Sequence, residues 1–290
     1  MSIDILQEKI RKLKNPSVID FGMPDIPPHI LAEEPDEAAA YQRYCLELLA
    51  GLKEIVPAVR FHFNTFALMG AGGLDRMAQV LASAGSMGFY VFLDAPGVGS
   101  PAEAEMAAQR FLGKDSPWRC DGILVQPYLG TDCVKPFLRL GLAEKKTVFL
   151  LARSANRSAS EIQDLLTGTR VVHHVVVESV KLLGSSAIGR CHYNEVGAVI
   201  SATKGQGIRN LRSSFPEVFF LMDGLDYVGG NASNCSAGFD RVGHGAAACA
   251  GSSVIGAWVC AGSDGRDYVE LAAAAAERMK KNLTRYTTVL

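Results

Sequence analysis

The alternation between short apolar runs and longer amphipathic patterns is the feature that most constrains this chain. Eight short runs are rich in β-branched, aromatic or small apolar residues, which is typical of parallel strands that are buried on both faces. These runs are residues 17–21, 58–63, 89–94, 122–126, 147–152, 198–202, 218–222 and 246–250. The last run is rich in alanine and is the least strand-like in composition.

Patterns with helical spacing separate these runs. In residues 37–54, for example, apolar side chains recur at every fourth position from Ala40 to Leu52, which predicts an amphipathic helix. Ser158 or Ser160 is a candidate N-cap for a helix that begins near Glu161. The other predicted helices are residues 74–84, 102–112, 134–142, 160–166, 171–183, 208–213 and 267–283.

Strands that alternate with helices indicate βαβ units and a parallel sheet, hence an α/β fold. Eight units in 290 residues predict a closed (β/α)8 TIM barrel in which residues 1–290 form a single domain. An open, doubly wound sheet is the alternative, although such sheets usually have fewer strands. In a barrel of this kind the functional site lies at the carboxyl ends of the strands. The informative residues are therefore 20–24, 60–64, 94–99, 126–130, 153–156, 202–205, 223–230 and 251–253.

The composition argues against several functional classes. The chain has 29 Lys and Arg against 30 Asp and Glu, whereas a nucleic-acid-binding protein would be expected to be basic. Its apolar stretches reach about 8 residues, far from the roughly 20 of a membrane span, and residues 1–14 do not resemble a signal peptide. The seven cysteines and six histidines show no metal-ligand spacing, so we expect no metal, no cofactor and a reducing, cytoplasmic location.

Motifs at the strand ends resemble those of the orotidine 5′-phosphate decarboxylase family, in its bacterial long form. The strongest stretches are residues 121–132, followed by Lys135-Pro136-Phe137, and residues 149–156. Asp94-Ala95 and Gly229-Gly230 also match, and the motifs occur in family order over nearly the whole chain. The resemblance implies a TIM barrel, a homodimer, and a lyase that forms UMP in pyrimidine biosynthesis.

The catalytic positions that the resemblance implies are altered. The family reaction leaves a carbanion-like centre that a lysine ammonium stabilises and protonates, within an alternating set of aspartates and lysines. Here the first aspartate is Asp94, but the catalytic lysine position falls on Pro96 and the second aspartate has no counterpart. The lysine of the second strand falls on Arg60, whose guanidinium stays protonated and is a poor proton donor.

The positions that would bind substrate are altered as well. The resemblance places the ribose aspartate on Gly22, the phosphate glutamine on Val228 and the phosphate arginine on Ser252. The loop also gains Asp223 and Asp226. Loss of an arginine and a glutamine from a phosphate site would cost about 3–6 kcal/mol of binding free energy, at about 1.5–3 kcal/mol for each charge-assisted hydrogen bond. The substrate-binding positions are Gly22, His62, Ala155, Asn156, Val228, Gly229, Gly230 and Ser252.

Arg60 and Asp94 should lie at neighbouring strand ends and point into the barrel. They either form an ion pair that caps the core or anchor an anionic or polar ligand. His62 faces the same side as Arg60, because side chains two residues apart share a face of a strand, and is a candidate ligand or general base. Asp223 and Asp226 could contact a metal or a sugar, but a solvated loop is the simpler interpretation.

Three functions remain open at this point. The first is a decarboxylase-like barrel that has lost the family reaction, either a pseudoenzyme or a repurposed ligand-binding homologue. It would be a homodimer, could pair with an active homologue, and could hold a small-molecule or nucleotide-like ligand at the mouth. The second is an active orotidine 5′-phosphate decarboxylase with a rearranged site. The third is a different small-molecule enzyme that uses Arg60, His62 and Asp94.

Overall fold

Eight parallel strands close into a barrel in the computed structural model of the protein, which describes residues 1–22 and 25–290. Each barrel strand pairs with its neighbour in chain order, and β10 pairs with β1 to close the sheet. The barrel strands are β1 (Ser17–Phe21), β2 (Ala58–His62), β3 (Tyr90–Asp94), β4 (Gly122–Val125), β5 (Thr147–Leu151), β8 (Val196–Ser201), β9 (Phe220–Asp223) and β10 (Ala246–Ala250). The predicted α/β class and TIM barrel are confirmed, with all eight strands in place.

Helices connect the strands, and local sequence explains where several of them begin. The Asp36 carboxylate accepts a 2.7 Å hydrogen bond from Ala39 N at the start of α3. Ser100 caps α6 in the same way, just before Pro101 at the first helical position. The helices are α1 (Ser2–Leu13), α2 (Pro28–Glu33), α3 (Glu37–Leu52), α4 (Phe63–Leu68), α5 (Gly70–Ser86), α6 (Pro101–Leu112), α7 (Thr131–Ala143), α8 (Val172–Gly184), α9 (Gly205–Ser214), α10 (Ala232–Ser236), α11 (Ser252–Ile255), α12 (Ala257–Cys260) and α13 (Tyr268–Tyr286).

The predicted helix over residues 160–166 is wrong, and so is its proposed serine cap. A 3₁₀ helix spans Arg157–Glu161, its N-cap Asn156 makes no capping hydrogen bond, and a small hairpin of β6 (Leu166–Thr167) and β7 (Arg170–Val171) follows. Two side chains hold the intervening segment against the end of β5. Gln163 Oε1 accepts a 2.8 Å hydrogen bond from Ser154 N, and Asp164 binds Arg153 through both carboxylate oxygens at 2.8 and 3.0 Å.

The core has two layers. Inside the barrel, side chains such as Phe92, Phe149 and Phe219 pack together, and Ile3 and Leu6 of α1 join them. Outside the barrel, the alternate strand residues pack against the helices, as Val91 and Leu93 do on either side of Phe92. Strand alternation therefore assigns each position to the interior or to the helix layer. Among the described residues, no helix is long and apolar enough to cross a membrane.

Candidate functional site

Arg60 occupies the centre of the barrel mouth, the end of the barrel at which the carboxyl ends of the eight strands meet. It lies on β2 beside Asp20 of β1, its register partner, and is only 6% exposed. Val18 and Ala58 face the barrel interior. Asp20 and Arg60 lie two residues further along the same strands, so they also face inward, nearer the mouth. A charged side chain is thereby held among groups shielded from water.

Three carboxylates surround the Arg60 guanidinium. Arg60 Nη2 donates a hydrogen bond to Asp94 Oδ2, so the predicted neighbours do form an ion pair. Arg60 Nη1 lies 3.3 Å from Asp223 Oδ2 and 3.7 Å from Asp20 Oδ2. Burial opposes the charged guanidinium, but these three acids raise the pKa of Arg60 above its ordinary value. Arg60 is therefore a permanent cation whose partners all come from its own chain.

His62 bridges two of the same acids. Its Nε2 hydrogen-bonds Asp20 Oδ1, and its Nδ1 lies 3.2 Å from Asp94 Oδ2. Burial disfavours the imidazolium, but Asp20 and Asp94 outweigh it and raise the pKa of His62 to about 9. Burial likewise opposes ionisation of Asp94, yet Arg60 and His62 lower the pKa of its carboxyl to about 2. At neutral pH both partners in this contact are charged.

Asp223 completes the set, which we call the mouth cluster: Asp20, Arg60, His62, Asp94 and Asp223. Burial raises the pKa of the Asp223 carboxyl despite the nearby Arg60. In Asp20 burial also opposes ionisation, but Arg60 and His62 lower the pKa of that carboxyl. Two cations thus face three acids, one of which is biased toward its neutral form. The two cations of the cluster are therefore countered by acids of the same chain.

Cys249 of β10 lies beside the mouth cluster and raises the question of a metal site. One ligand atom each from Asp20, Asp223 and Cys249 lies within 4.8 Å of the others. However, Arg60 Nη1 already sits close to both carboxylates, and it would repel a second cation. Burial, followed by the nearby Asp20 and Asp223, also raises the pKa of the Cys249 thiol well above its ordinary value. These residues do not fit a metal ion.

Asp226 occupies the place where the resemblance implies a phosphate. TIM barrels frequently bind phosphate at the loops after the seventh and eighth strands and at the start of a short extra helix, which here is α11. Asp226 Oδ2 accepts hydrogen bonds from Gly251 N at 3.0 Å, Ser253 N at 3.1 Å and Ser252 Oγ at 3.3 Å. The loop is exposed at residues 227–229, but its two acids have separate partners: Asp223 lies beside Arg60 and Asp226 binds the start of α11.

The other predicted substrate positions lie apart from the mouth cluster or have local roles. Val228 is 88% exposed, and the carbonyl oxygen of Gly22 accepts a 2.8 Å hydrogen bond from the Tyr41 hydroxyl. Asn156 Oδ1 accepts a hydrogen bond from Ser154 Oγ. Pro96 follows Asp94 just beyond the end of β3 and is half-buried. Met23 and Pro24, part of the informative stretch 20–24, lie outside the described residues.

Two members of the site escaped the sequence reasoning. The sequence places Asp20 only within a stretch of strand-end residues, and Cys249 only among the seven cysteines. Strand alternation could have identified both. Asp20 lies two residues after the inward-facing Val18, and Cys249 lies two residues after the inward-facing Ala247, so each faces the barrel interior.

Comparisons with known proteins are consistent with this architecture. No protein-family model matches the chain. The orotidine 5′-phosphate decarboxylase of Rhodopirellula baltica is 31% identical over 215 residues, which cover 72% of this chain and 70% of the relative. The enzyme of the same name from Caldicellulosiruptor bescii is 26% identical over 244 residues, covering 78% and 80%.

Solved structures agree in fold. The OMP decarboxylase of Leishmania donovani superposes with a TM-score of 0.74 at 21% identity and covers 98% of both chains. The orotidine 5′-monophosphate decarboxylase of Methanocaldococcus jannaschii, complexed with the inhibitor BMP, gives a TM-score of 0.65 at 15% identity and covers 93% of this chain and 98% of that one. The fold is therefore a closed (β/α)8 barrel. The chain belongs to the orotidine 5′-phosphate decarboxylase family.

Proposed function

We propose that this family member does not catalyse the decarboxylation for which its relatives are named. Residues 1–290 would form one barrel domain that acts as a pseudoenzyme or as a repurposed ligand-binding homologue in the cytoplasm. The observation that carries the proposal is the mouth cluster, in which a buried arginine is neutralised by three acids of its own chain. All seven cysteines are free thiols, which supports a reducing compartment.

The chemistry of the mouth cluster opposes the family reaction. The lysine position implied by the resemblance is Pro96, which has neither a proton to donate nor a charge. Arg60 cannot replace it readily, because a guanidinium does not deprotonate in proteins and this one is held by Asp20, Asp94 and Asp223. General acid–base steps typically contribute about 10²–10⁴ in rate, and this contribution would be lost together with the electrostatic stabilisation.

Phosphate binding is opposed by Asp226. A phosphate group at the start of α11 would have to displace this carboxylate from the two backbone amides that it binds, at 3.0 and 3.1 Å. It would then lie beside a like charge. On the scale of about 1.5–3 kcal/mol for each charge-assisted hydrogen bond, we expect two to four decades of lost affinity.

The test is an assay for release of CO2 from orotidine 5′-monophosphate. We expect no release above the uncatalysed rate, because the proton donor and the phosphate site are both missing. Pro96→Lys alone should not restore activity, and the double variant Pro96→Lys/Asp226→Gly checks whether the two losses act together. Release of CO2 by the unmodified protein, inhibited by UMP, would overturn the proposal and support an active decarboxylase with a rearranged site.

One observation favours a second candidate, a different small-molecule enzyme that uses Arg60, His62 and Asp94. The His62 side chain is 25% exposed at the mouth and is held between two acids, so a protonated imidazole faces solvent in a fixed orientation. A substrate that takes the place of Asp94 at Nδ1 would receive the imidazolium proton, so His62 would act as a general acid. A crystal structure of protein purified from its native host tests this idea, because a mouth containing only water would count against it.

We also propose a homodimer formed through the segments that follow β2, β3 and β4, a face that could equally receive an active homologue. Leu68, Met106 and Leu129 lie on these segments and are 77%, 71% and 57% exposed. Large exposed apolar side chains in adjacent units are typical of an interaction surface. The segment after β3 turns back on its own helix, where Gly99 N donates a 2.7 Å hydrogen bond to Glu103, so contacts in this region should differ from those of the relatives.

Light scattering after size-exclusion chromatography tests the dimer. The protein should elute as a dimer, and Leu68→Glu combined with Leu129→Glu should convert it to a monomer, because two buried carboxylates would face an apolar partner. Leu182→Glu is the matched control, since this residue is 67% exposed but lies on α8. A monomeric parent protein would contradict the proposal, as would a dimer that survives the double change.

A further inference from the structure

A cleft of about 880 Å³ begins at the rim of the barrel beside Asp226 and Ser253 and extends into the helix layer. Its floor includes Ala250, Val254, Ala275 and Met279, all of which belong to the outer core between strands and helices. Cys249, next to Ala250, points instead into the barrel interior. The cleft and the mouth cluster are thus on opposite faces of the same strand.

The cleft exists because the seventh βα unit has a short helix. The connection between β9 and β10 contains α10, with 5 residues, whereas the neighbouring α13 has 19. Such a short helix cannot cover the length of α13. One face of α13 therefore remains open opposite the loop that carries Tyr227 and Asn231.

The open face of α13 is basic. Arg278, Asn282 and Arg285 line the cleft at helical spacing, so the two arginines lie about 10 Å apart along the axis. Both are exposed, and neither forms a salt bridge within the described part of the chain. Asp226, the carboxylate in the lining, is already bound to the amides of Gly251 and Ser253. Two arginines are thus available for an anion.

Aromatic surface accompanies this charge. Tyr227 and Tyr286 both line the cleft and are 55% and 52% exposed, which leaves ring area for a flat group to cover. The volume falls within the roughly 300–1,000 Å³ of ordinary small-molecule sites. An arginine guanidinium can donate two parallel hydrogen bonds to phosphate oxygens, and a tyrosine ring can stack on another planar ring.

We propose that this cleft is a second binding site, independent of the mouth, for a phosphate monoester that carries an aromatic ring. Arg278 and Arg285 would hold the phosphate, Asn282 would donate a further hydrogen bond, and a tyrosine would stack on the ring. The apolar floor would exclude water from the ring edge. The site goes beyond the proposed function, because its phosphate-binding side chains lie on α13 and belong neither to the mouth cluster nor to the start of α11, where Asp226 opposes a phosphate.

Calorimetric titration with 1-naphthyl phosphate tests the site, with inorganic phosphate and 1-naphthol as separate arms. We expect the ester to bind at least about 10-fold more tightly than either arm, because only the ester engages both the arginines and the tyrosines. Arg278→Ala and Arg285→Ala should each weaken its binding by about 10-fold, the effect of losing one charge-assisted hydrogen bond. Tyr227→Ala should weaken binding of the ester but not of phosphate.

Lys281→Ala provides the matched control, because it removes an exposed cation from the same helix without touching the cleft lining. It should change the dissociation constant by less than about 2-fold. If Lys281→Ala lowers the affinity for 1-naphthyl phosphate as much as the arginine variants do, the effect is general electrostatic attraction and the proposed site is overturned. Binding of 1-naphthol as tight as that of 1-naphthyl phosphate would overturn it as well. The titration does not depend on CO2 release, so failure of this proposal and failure of the proposed function are distinguishable.

Discussion

Replacing Arg60 with methionine should lower the free energy of unfolding by about 3–5 kcal/mol at pH 7, the range typical when one partner of a buried ion pair is removed. The change leaves Asp20, Asp94 and Asp223 facing one another with only His62 to balance them. Urea denaturation at neutral pH measures the loss. Arg139→Met is the matched control: its partner is Glu105, the two side chains are 69% and 55% exposed, and the loss should stay below about 1 kcal/mol.

The pH dependence of the stability loss provides a second test of the Arg60 prediction. The loss in Arg60→Met should shrink as the pH falls toward 4, because protonation of the unbalanced carboxylates relieves their repulsion. Arg60→Lys keeps the charge without the planar fork and should lose less than methionine does. A loss in Arg60→Met no greater than that in Arg139→Met, or one independent of pH, would contradict the role assigned to the mouth cluster.

The second large effect is the pH dependence that His62 should confer on stability. Its pKa is raised from the ordinary 6.5 to about 9, so its contribution should be fully present below pH 6.5 and lost as the pH rises through 9. A shift of this size corresponds to at most about 3 kcal/mol. Asp94, with a pKa lowered to about 2, contributes in the opposite window: its share is present above pH 3.8 and disappears as the pH falls through 2.

Comparison of the parent protein with His62→Gln isolates this contribution. At pH 6 the variant should be less stable than the parent, and the difference should narrow steadily between pH 6.5 and 9.5. His192→Asn serves as the control, because His192 is exposed and asparagine tolerates its positive φ of 69°. Its stability should stay within about 0.5 kcal/mol of the parent at each pH. A constant difference for His62→Gln across the alkaline range would refute the charged bridge.

Most of the barrel could be predicted from the sequence because its strands are buried on both faces. Apolar runs such as the one at Gly122–Val125 have few alternative interpretations once helices flank them. The helix expected over residues 160–166 failed for a different reason. Asp164 and Gln163 bind Arg153 and Ser154 at the end of β5, and the periodicity of residues 160–166 carries no information about partners outside that segment.

The site was only partly predictable for a related reason. Arg60, His62 and Asp94 lie on adjacent strands, so strand order and parity place them together. Asp223 lies on β9, across the barrel from β3, and its contact with Arg60 depends on the closure of the whole sheet. Asp226 was harder still, because its hydrogen bonds to Gly251 and Ser253 depend on the path of a loop. Loop paths follow from local turns and packing that a residue pattern does not encode.

The hydrogen bonds of Asp226 have a consequence for motion at this end of the barrel. They tie the connection after β9 to the first residues after β10 through groups of the protein itself. In many enzymes, a loop closes over the active site because it forms new contacts only when the substrate binds. Here Asp226 already makes these hydrogen bonds, so we expect this loop to stay in place and not to close over a ligand.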